Sequence, residues 1–317
     1  MTAATPPLRL GSRGSPLALR QAEIVRARLQ AANPALAAPD AVEIVPVKTT
    51  GDVETKRRLA EIGGKGLFTK ELEDALLDGR IDAAVHSLKD VPTWLPDGLS
   101  LAAVPERADP RDAWFSPKSA TIAGLPEGAR VGTASLRRQA QILALRPDVR
   151  VVTFRGNLQT RLRKLADGEA DATLLAHAGL ARMDMADRAT AVLDPAEMLP
   201  GVAQGALALE TRAADTRTRE MVSAIDDPAV ARCVHAERAC LDVLDGSCQT
   251  PIGVLVEPLA GERVYVRALV AWPDGSECWA TERTGPVADA GALARDAGHE
   301  LRRRAGDDFF ARLAEMI

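Results

Sequence analysis

The chain has 317 residues, 46% apolar and 26% charged, an ordinary globular balance with room for about two to three domains. Aromatic residues make up only 3% and the net charge is −4, which excludes base-stacking platforms and general nucleic-acid binding. No apolar run approaches the roughly 20 residues of a membrane span. Met1 to Leu10 lacks a basic region followed by an apolar stretch, so the expected setting is cytoplasmic, with no secretion signal and no membrane partner.

Leu8 to Leu10 reads as a short strand and Gly11 to Gly14 as a turn. Ser15 is a good N-cap and Pro16 a good first helical residue; Ala18, Ala22, Val25 and Leu29 follow at helical spacing until Asn33-Pro34. Val42 to Val47 alternates as a strand, Gly63 to Gly66 is a loop, and Leu67 to Leu77 is a helix stopped at Asp78-Gly79. Ile81 to His86 is a buried strand running into Ser87-Leu88-Lys89-Asp90.

The same order then recurs. Arg130-Val131-Gly132-Thr133 resembles Arg9-Leu10-Gly11-Ser12, and Ser135 can cap a helix from Leu136 to Leu145. Val151 to Phe154 is a strand, Arg155-Gly156-Asn157 a turn, and Leu158 to Ala166 a helix. Asp78-Gly79-Arg80-Ile81-Asp82-Ala83 matches Asp167-Gly168-Glu169-Ala170-Asp171-Ala172 at a constant offset of 89 residues. Two similar α/β lobes built on parallel βαβ units are therefore expected. The segments Val104 to Pro110 and Pro200 to Gly205 read as the crossings between them, with hinge character. From Asp227 onward the pattern changes to a helix (Ala229 to Leu244) and the loop Asp245-Gly246-Ser247-Cys248. Three strands follow near 252–257, 263–271 and 277–284, with a hairpin turn at Pro273-Asp274-Gly275, and a helix covers Ala290 to Arg304. The expected bounds are 1–104 plus about 201–225 for the first lobe, 111–199 for the second, and 227–317 for a C-terminal α+β domain.

Chemistry is expected where strands of a parallel sheet give way to helices, since exposed N–H groups and the helix dipole favour anions there. Three polar clusters fall at such places: Arg13 with Ser15; Thr133, Ser135, Arg137 and Arg138; and Arg155, Asn157 and Arg161. Between Arg130 and Leu165 nine basic residues face one acid, Asp148. A cleft between the lobes would gather these into one basic pocket, and so many planar forks suggest a ligand with several carboxylates or phosphates. Phosphate motifs fit badly. Gly64-Lys65 has the look of a Walker A end, but Leu59 stands where glycine is needed and Gly66 where Ser or Thr is needed, and no GxGxxG is present. Asp90 reads either as a salt-bridge partner of Lys89 or a nearby arginine, or as a carboxylate that stabilises a cation formed in the reaction. Cys248 reads either as a small buried residue or as a functional thiol. The four cysteines (233, 240, 248, 278) form no CxxC pair and the four histidines (86, 177, 235, 299) are scattered, so no metal site is expected. Cys233, His235 and Cys240 read as ordinary helix residues, with reduced thiols.

At this point several motifs converge. Val85-His86-Ser87-Leu88-Lys89-Asp90-Val91-Pro92, Gly63-Gly64-Lys65-Gly66-Leu67-Phe68 and Asp109-Pro110-Arg111-Asp112-Ala113 resemble those of the porphobilinogen deaminase family. So do Gly132-Thr133-Ala134-Ser135-Leu136-Arg137-Arg138, Arg155-Gly156-Asn157 and Gly246-Ser247-Cys248-Gln249-Thr250-Pro251-Ile252-Gly253. The resemblance spans nearly the whole chain in the right order. It implies a fold of two periplasmic-binding-protein-like lobes with mixed, largely parallel sheets, plus a C-terminal α+β domain with a three-stranded antiparallel sheet.

It also implies a transferase of haem biosynthesis in which Cys248 carries a dipyrromethane primer through a thioether. Asp90 would assist loss of ammonia from porphobilinogen, and the resulting azafulvenium cation would be attacked by the α-carbon of the bound chain. Four rounds and a hydrolysis would release hydroxymethylbilane. By the family's pattern the primer is held by Arg13, Ser15, Lys89, Asp90, Thr133, Ser135, Arg137, Arg138, Arg155 and Gly156. Incoming substrate meets Arg13, Ser15, Arg155, Arg161, Arg182 and Gln204, and Lys65 and Phe68 belong to a lid. Glu61, Thr50 and Ala134 depart from residues frequent in the family, which touches the loop contacts but not Cys248 or Asp90. Each pyrrole carries an acetate and a propionate, so an acidic protein needs a local excess of cations to hold the growing chain.

Two readings compete with this. A solute-binding module shares the two-lobe plan, but it would have neither the Cys248 loop nor a third domain. A ligand-sensing regulator would need a DNA-reading helix, and none is apparent. A monomer is expected, since no coiled coil or long exposed apolar stretch is evident.

Overall fold

In a computed structural model of the chain, the described residues are 6–49, 68–246 and 250–316. Thr50, Glu61, Lys65 and Cys248 lie outside them. In chain order the elements are β1 (Leu8–Arg13), α1 (Pro16–Ala32), β2 (Val42–Val47), α2 (Lys70–Leu77), β3 (Ala83–Ser87), β4 (Leu99–Ala103), β5 (Asp112–Phe115), β6 (Arg130–Gly132), α3 (Leu136–Leu145) and β7 (Arg150–Val152). There follow α4 (Leu158–Ala166), β8 (Ala172–Ala176), α5 (His177–Arg182), β9 (Ala191–Val192), β10 (Leu207–Arg212), α6 (Thr216–Ser223) and α7 (Pro228–Val243). The chain ends with β11 (Ile252–Leu259), β12 (Arg263–Ala271), β13 (Cys278–Pro286), α8 (Ala290–Ala305) and α9 (Asp307–Met316).

The described residues divide into two compact units: 6–49, 68–107 and 206–231 form unit 1, and 108–205, 232–246 and 250–316 form unit 2. Unit 1 holds a five-stranded sheet in the order β2-β1-β3-β10-β4, and unit 2 one in the order β7-β6-β8-β5-β9. Their pairing rules are the same. β1 is parallel to β2 and β3, as β6 is to β7 and β8. β10 is antiparallel to β3 and β4, as β5 is to β8 and β9. Both are mixed sheets with a parallel half, as the fold class required.

The 89-residue repeat has a physical basis. The helix preceding each pair of matched residues ends in a left-handed glycine, Gly79 (φ 68°) or Gly168 (φ 74°), which lets a late N–H reach back to the last turn: Arg80 to Ala75 O, 2.9 Å, and Glu169 to Lys164 O, 3.0 Å. Asp82 then donates its N–H to Arg9 O and accepts the Arg9 N–H on its carboxylate, both at 2.9 Å. Asp171 does the same to Arg130, both at 2.7 Å. Each Asp-Ala therefore staples the start of one strand to the start of its parallel neighbour.

The expected turn at Gly11 to Gly14 is instead mostly strand. β1 continues to Arg13, with Gly11, Ser12 and Arg13 paired to Val45, Pro46 and Val47. β2 is an edge strand, so Pro46 loses no ladder bond on its outer side. Gly11 is required for packing rather than for turning, because a Cβ there would lie 2.2 Å from Ile81 Cδ1. In unit 2 the matching Gly132 faces the Phe154 ring, 2.5 Å from where a Cβ would stand. Each sheet buries Leu, Ile and Val side chains against its helices, each contributing about 1.5–3 kcal/mol.

The third sheet, β11-β12-β13, is antiparallel throughout. One face packs on α7, α8 and α9, with Phe309 edge-on to Trp272 and Trp279 at 5.6 and 5.0 Å. The turn at Gly275 sits on α3, where a Cβ would meet Ala144 N at 2.3 Å, and Gln139 Nε2 donates to Pro273 O at 3.0 Å. Cys233 and Cys240 are buried on α7, and burial pushes the Cys240 thiol up to about 12. Among the described residues no group of three or more His, Cys, Asp or Glu is placed to hold a metal ion.

Gly132→Ala is expected to cost about 1–3 kcal/mol through overpacking against Phe154. Adding Phe154→Leu should recover part of that loss in thermal unfolding; losses that simply add would contradict the packing account.

Candidate active site

In unit 1, the groups expected to carry chemistry stand just after the parallel strands. Arg13 is the last residue of β1, and its guanidinium lies 4.0 Å from the centroid of the Phe68 ring, a cation–π contact. Ser15 caps α1 and accepts from Ala18 N at 3.4 Å. β3 delivers the chain into the single turn Leu88–Asp90, which is tied down by the Leu88 N–H to Ala206 O at 3.0 Å. Behind that turn, His86 Nε2 and Glu210 Oε2 are 2.9 Å apart and both side chains are buried. Gln21 Nε2 donates to Ser87 Oγ at 2.9 Å. Lys89 and Asp90 are half-buried. Among the described residues no hydrogen bond or ion pair engages the Asp90 carboxylate, so neither Lys89 nor an arginine neutralises it there.

In unit 2, α3 and α4 start on side-chain caps. Ser135 accepts from Arg138 N, with Thr133 Oγ1 accepting from Ser135 N at 3.1 Å, and Asn157 accepts from Thr160 N at 2.9 Å. Thr133 is buried. Gly156 has φ 116° and a Cβ there would stand 2.7 Å from Thr160 Cγ2, so the Arg155-Gly156-Asn157 turn needs glycine. Arg161 folds back to donate from Nε to Gly156 O at 2.9 Å. Arg182, at the end of α5, donates to Gly205 O at 2.6 Å.

Arg137 and Arg138 are buried at 5% exposure and share one carboxylate, Asp112, at the start of β5. Arg137 donates from Nη2 to Asp112 Oδ2 at 2.9 Å and from Nη1 to Leu199 O at 2.7 Å. Arg138 donates from Nη2 to Asp112 Oδ1 at 2.8 Å and from Nη1 to Leu174 O at 2.9 Å. Gln204 Nε2 adds a third donor, 2.8 Å from Asp112 Oδ1, and also reaches Pro110 O at 2.7 Å. Burial alone would push the Asp112 carboxyl up. The charges of Arg137 and Arg138 and the hydrogen bonds of Arg138 and Gln204 outweigh it and hold the group below the usual carboxylate range.

A different balance holds at Arg161. Arg161 is pushed down to about 10, first by desolvation and then by the positive charges of Arg138 and Arg155. Among the described residues, Arg138 Nε and Arg155 Nη1 are buried with no hydrogen-bond partner. Three guanidiniums are thus gathered here with donors left over. Such an arrangement is stable only at a cost, unless an anion joins it.

The structure brings Arg138, Arg155 and Arg161 together, gives Arg137 to Asp112, and sets Gln204 on the same carboxylate. Arg13 is set against Phe68. Asp112 was missed as an individual residue. Its signal was available: an acid opening the short apolar run Asp112-Ala113-Trp114-Phe115, in which every residue is buried. The buried pair His86 and Glu210 was missed as well, because β10 is far from β3 in sequence.

The family model "Porphobilinogen deaminase, dipyromethane cofactor binding domain" matches residues 8–220, and "Porphobilinogen deaminase, C-terminal domain" matches residues 231–303. The chain belongs to the porphobilinogen deaminase family. It is 53% identical over 305 residues to the porphobilinogen deaminase of Nitrobacter winogradskyi, covering 96% of each chain. It is 55% identical over 304 residues to that of Paracoccus denitrificans, again 96% of each. Among solved structures, a nutrient binding protein from Burkholderia cenocepacia bound to methionine is similar at a TM-score of 0.42 and 14% identity, over 70% of this chain and 93% of that one.

The dipyrromethane group named by the family model suits the residues present. Its carboxylates are acceptors, and the leftover groups at Arg138 Nε and Arg155 Nη1 are buried donors. Replacing one of the gathered cations should relieve repulsion when no anion is bound. In a Cys248→Ser chain, Arg155→Met is expected to raise the thermal midpoint by about 2–4 °C, equivalent to roughly 1 kcal/mol. A lowered midpoint would show that the cluster is self-compensated.

Proposed function

We propose that this chain is a transferase that deaminates porphobilinogen and joins four units, one at a time, to a dipyrromethane primer on Cys248, then releases hydroxymethylbilane by hydrolysis. The observation that carries this reading is the Arg138, Arg155 and Arg161 cluster, with its buried, unpartnered N–H groups. Planar forks in a partly desolvated setting suit a polycarboxylate, with charge-assisted bonds worth about 1.5–3 kcal/mol each. When bound, the dipyrromethane supplies a covalent primer with a nucleophilic pyrrole carbon.

The protein's own residues divide the remaining work. Arg138 and Arg155, with Thr133, Ser135, Arg137 and Gly156 behind them, hold primer carboxylates. Arg13, Ser15, Arg155, Arg161, Arg182 and Gln204 receive those of the incoming substrate, and Lys89 adds a further cation. Phe68, stacked with Arg13, keeps that guanidinium oriented. The Asp90 carboxylate stabilises the cation left on the porphobilinogen methylene when its C–N bond breaks and ammonia departs with the bonding pair. A carboxylate with no ion pair among the described residues can do this without first breaking one. We assign the primer-bearing domain to 227–317 and the two lobes to 1–104 with about 201–225 and to 111–199. No helix among the described residues is long and apolar enough to cross a membrane. We place the enzyme in the cytoplasm as a monomer.

The test is porphobilinogen consumption and hydroxymethylbilane formation by the purified chain and two variants. Cys248→Ser is expected to lose activity. Asp90→Asn is expected to keep its fold and primer while turnover falls by about 10²-fold. Near-normal turnover in Asp90→Asn would remove Asp90 from the mechanism, and substantial activity in Cys248→Ser would remove the primer assignment.

A further inference from the structure

Arg138 has three nitrogens, and its surroundings use them unequally. Each terminal nitrogen gives an N–H inside unit 2, Nη1 to Leu174 O and Nη2 to Asp112 Oδ1, while the buried Nε has no hydrogen-bond partner among the described residues. A guanidinium is a rigid plane, so fixing two of its corners fixes where the third N–H points. The positive charges of Arg138 and Arg155 both act on Arg161.

The anchor is itself over-determined. Asp112 is fully buried and receives Arg137, Arg138 and Gln204. Arg137 is fixed in turn by Leu199 O, whose oxygen also accepts from Gln141 Nε2 at 3.1 Å, while Leu199 N donates to Gln141 Oε1 at 2.7 Å. Arg137 and Gln204 thus brace the carboxylate from other directions. A buried carboxylate with three donors cannot rotate without leaving a charge unpaired.

We propose that Asp112 is a positioning residue for primer and substrate binding. It touches no ligand, but it locks the Arg138 guanidinium so that Nε is the donor offered to a ligand carboxylate. This rests on the reading that Arg138 holds carboxylates of the primer or substrate. It goes beyond that reading by assigning the orientation of Arg138 to a residue outside the ligand-binding set. A purely structural Asp112 would contribute only stability, and its loss would leave the properties of the folded fraction unchanged.

The experiment compares the wild-type chain with Asp112→Asn, which removes the charge at constant shape, and Asp112→Glu, which keeps the charge but displaces it by one methylene. Thermal unfolding and circular dichroism give the folded fraction. Intact mass of the denatured protein gives primer occupancy, and steady-state kinetics with porphobilinogen give KM and kcat separately. We expect both variants, per folded molecule, to show primer occupancy reduced at least fivefold. We expect KM to rise about tenfold or more, while kcat of the primed fraction changes less than KM. A folded variant of either kind with wild-type occupancy and wild-type KM would overturn the proposal. Absence of primer from the wild-type chain after incubation with porphobilinogen would instead overturn the functional reading on which it rests.

Discussion

One buried carboxylate organises the charge of unit 2. Asp112 takes one nitrogen from each of two consecutive arginines, and Arg137 and Arg138 are thereby held where neither could otherwise stay buried. Two cations against one anion leave an excess, and among the described residues no further acid pairs with Arg155 or Arg161. The site follows from this imbalance. A fully neutralised set of arginines would bind a polycarboxylate weakly, and an unanchored one would collapse onto whatever acceptor lay nearest.

The same economy of parts appears in the scaffold. Each sheet begins with an Asp that clips two parallel strands, Asp82 to Arg9 and Asp171 to Arg130, and each places a glycine where a large side chain must pass, Gly11 under Ile81 and Gly132 under Phe154. These devices leave the strand ends free to turn directly into capped helices. Ser15, Ser135 and Asn157 then fix where those helices start, and with them the positions of Arg13, Arg138 and Arg161. The residues proposed to hold ligand carboxylates thus have backbone positions set by capping and strand pairing rather than by long loops.

Much of this was legible in the sequence for local reasons. Caps and breakers are neighbours of the residues they control, so the helices Leu136–Leu145 and Leu158–Ala166 could be bounded directly. The 89-residue repeat was legible because its Asp-Gly and Asp-Ala signals are also local. The strands Leu99–Ala103, Asp112–Phe115 and Leu207–Arg212 were not. They are short, and two of the three are antiparallel insertions placed by partners far away in the chain. The turn expected at Gly11 was strand for a related reason, since only the packed Ile81 reveals why a glycine is there. Asp112 stayed hidden because its meaning lies in residues 137, 138 and 204, which no local pattern connects to it.

The central claim is that these cations serve a polycarboxylate chain tethered at Cys248. The most direct measurement is peptide mapping by mass spectrometry of the denatured, porphobilinogen-treated chain. The account predicts a covalent addition equal to two porphobilinogen units less two molecules of ammonia, confined to the peptide containing Cys248. An unmodified Cys248 peptide after that treatment, or the same addition on Cys233, Cys240 or Cys278, would contradict it.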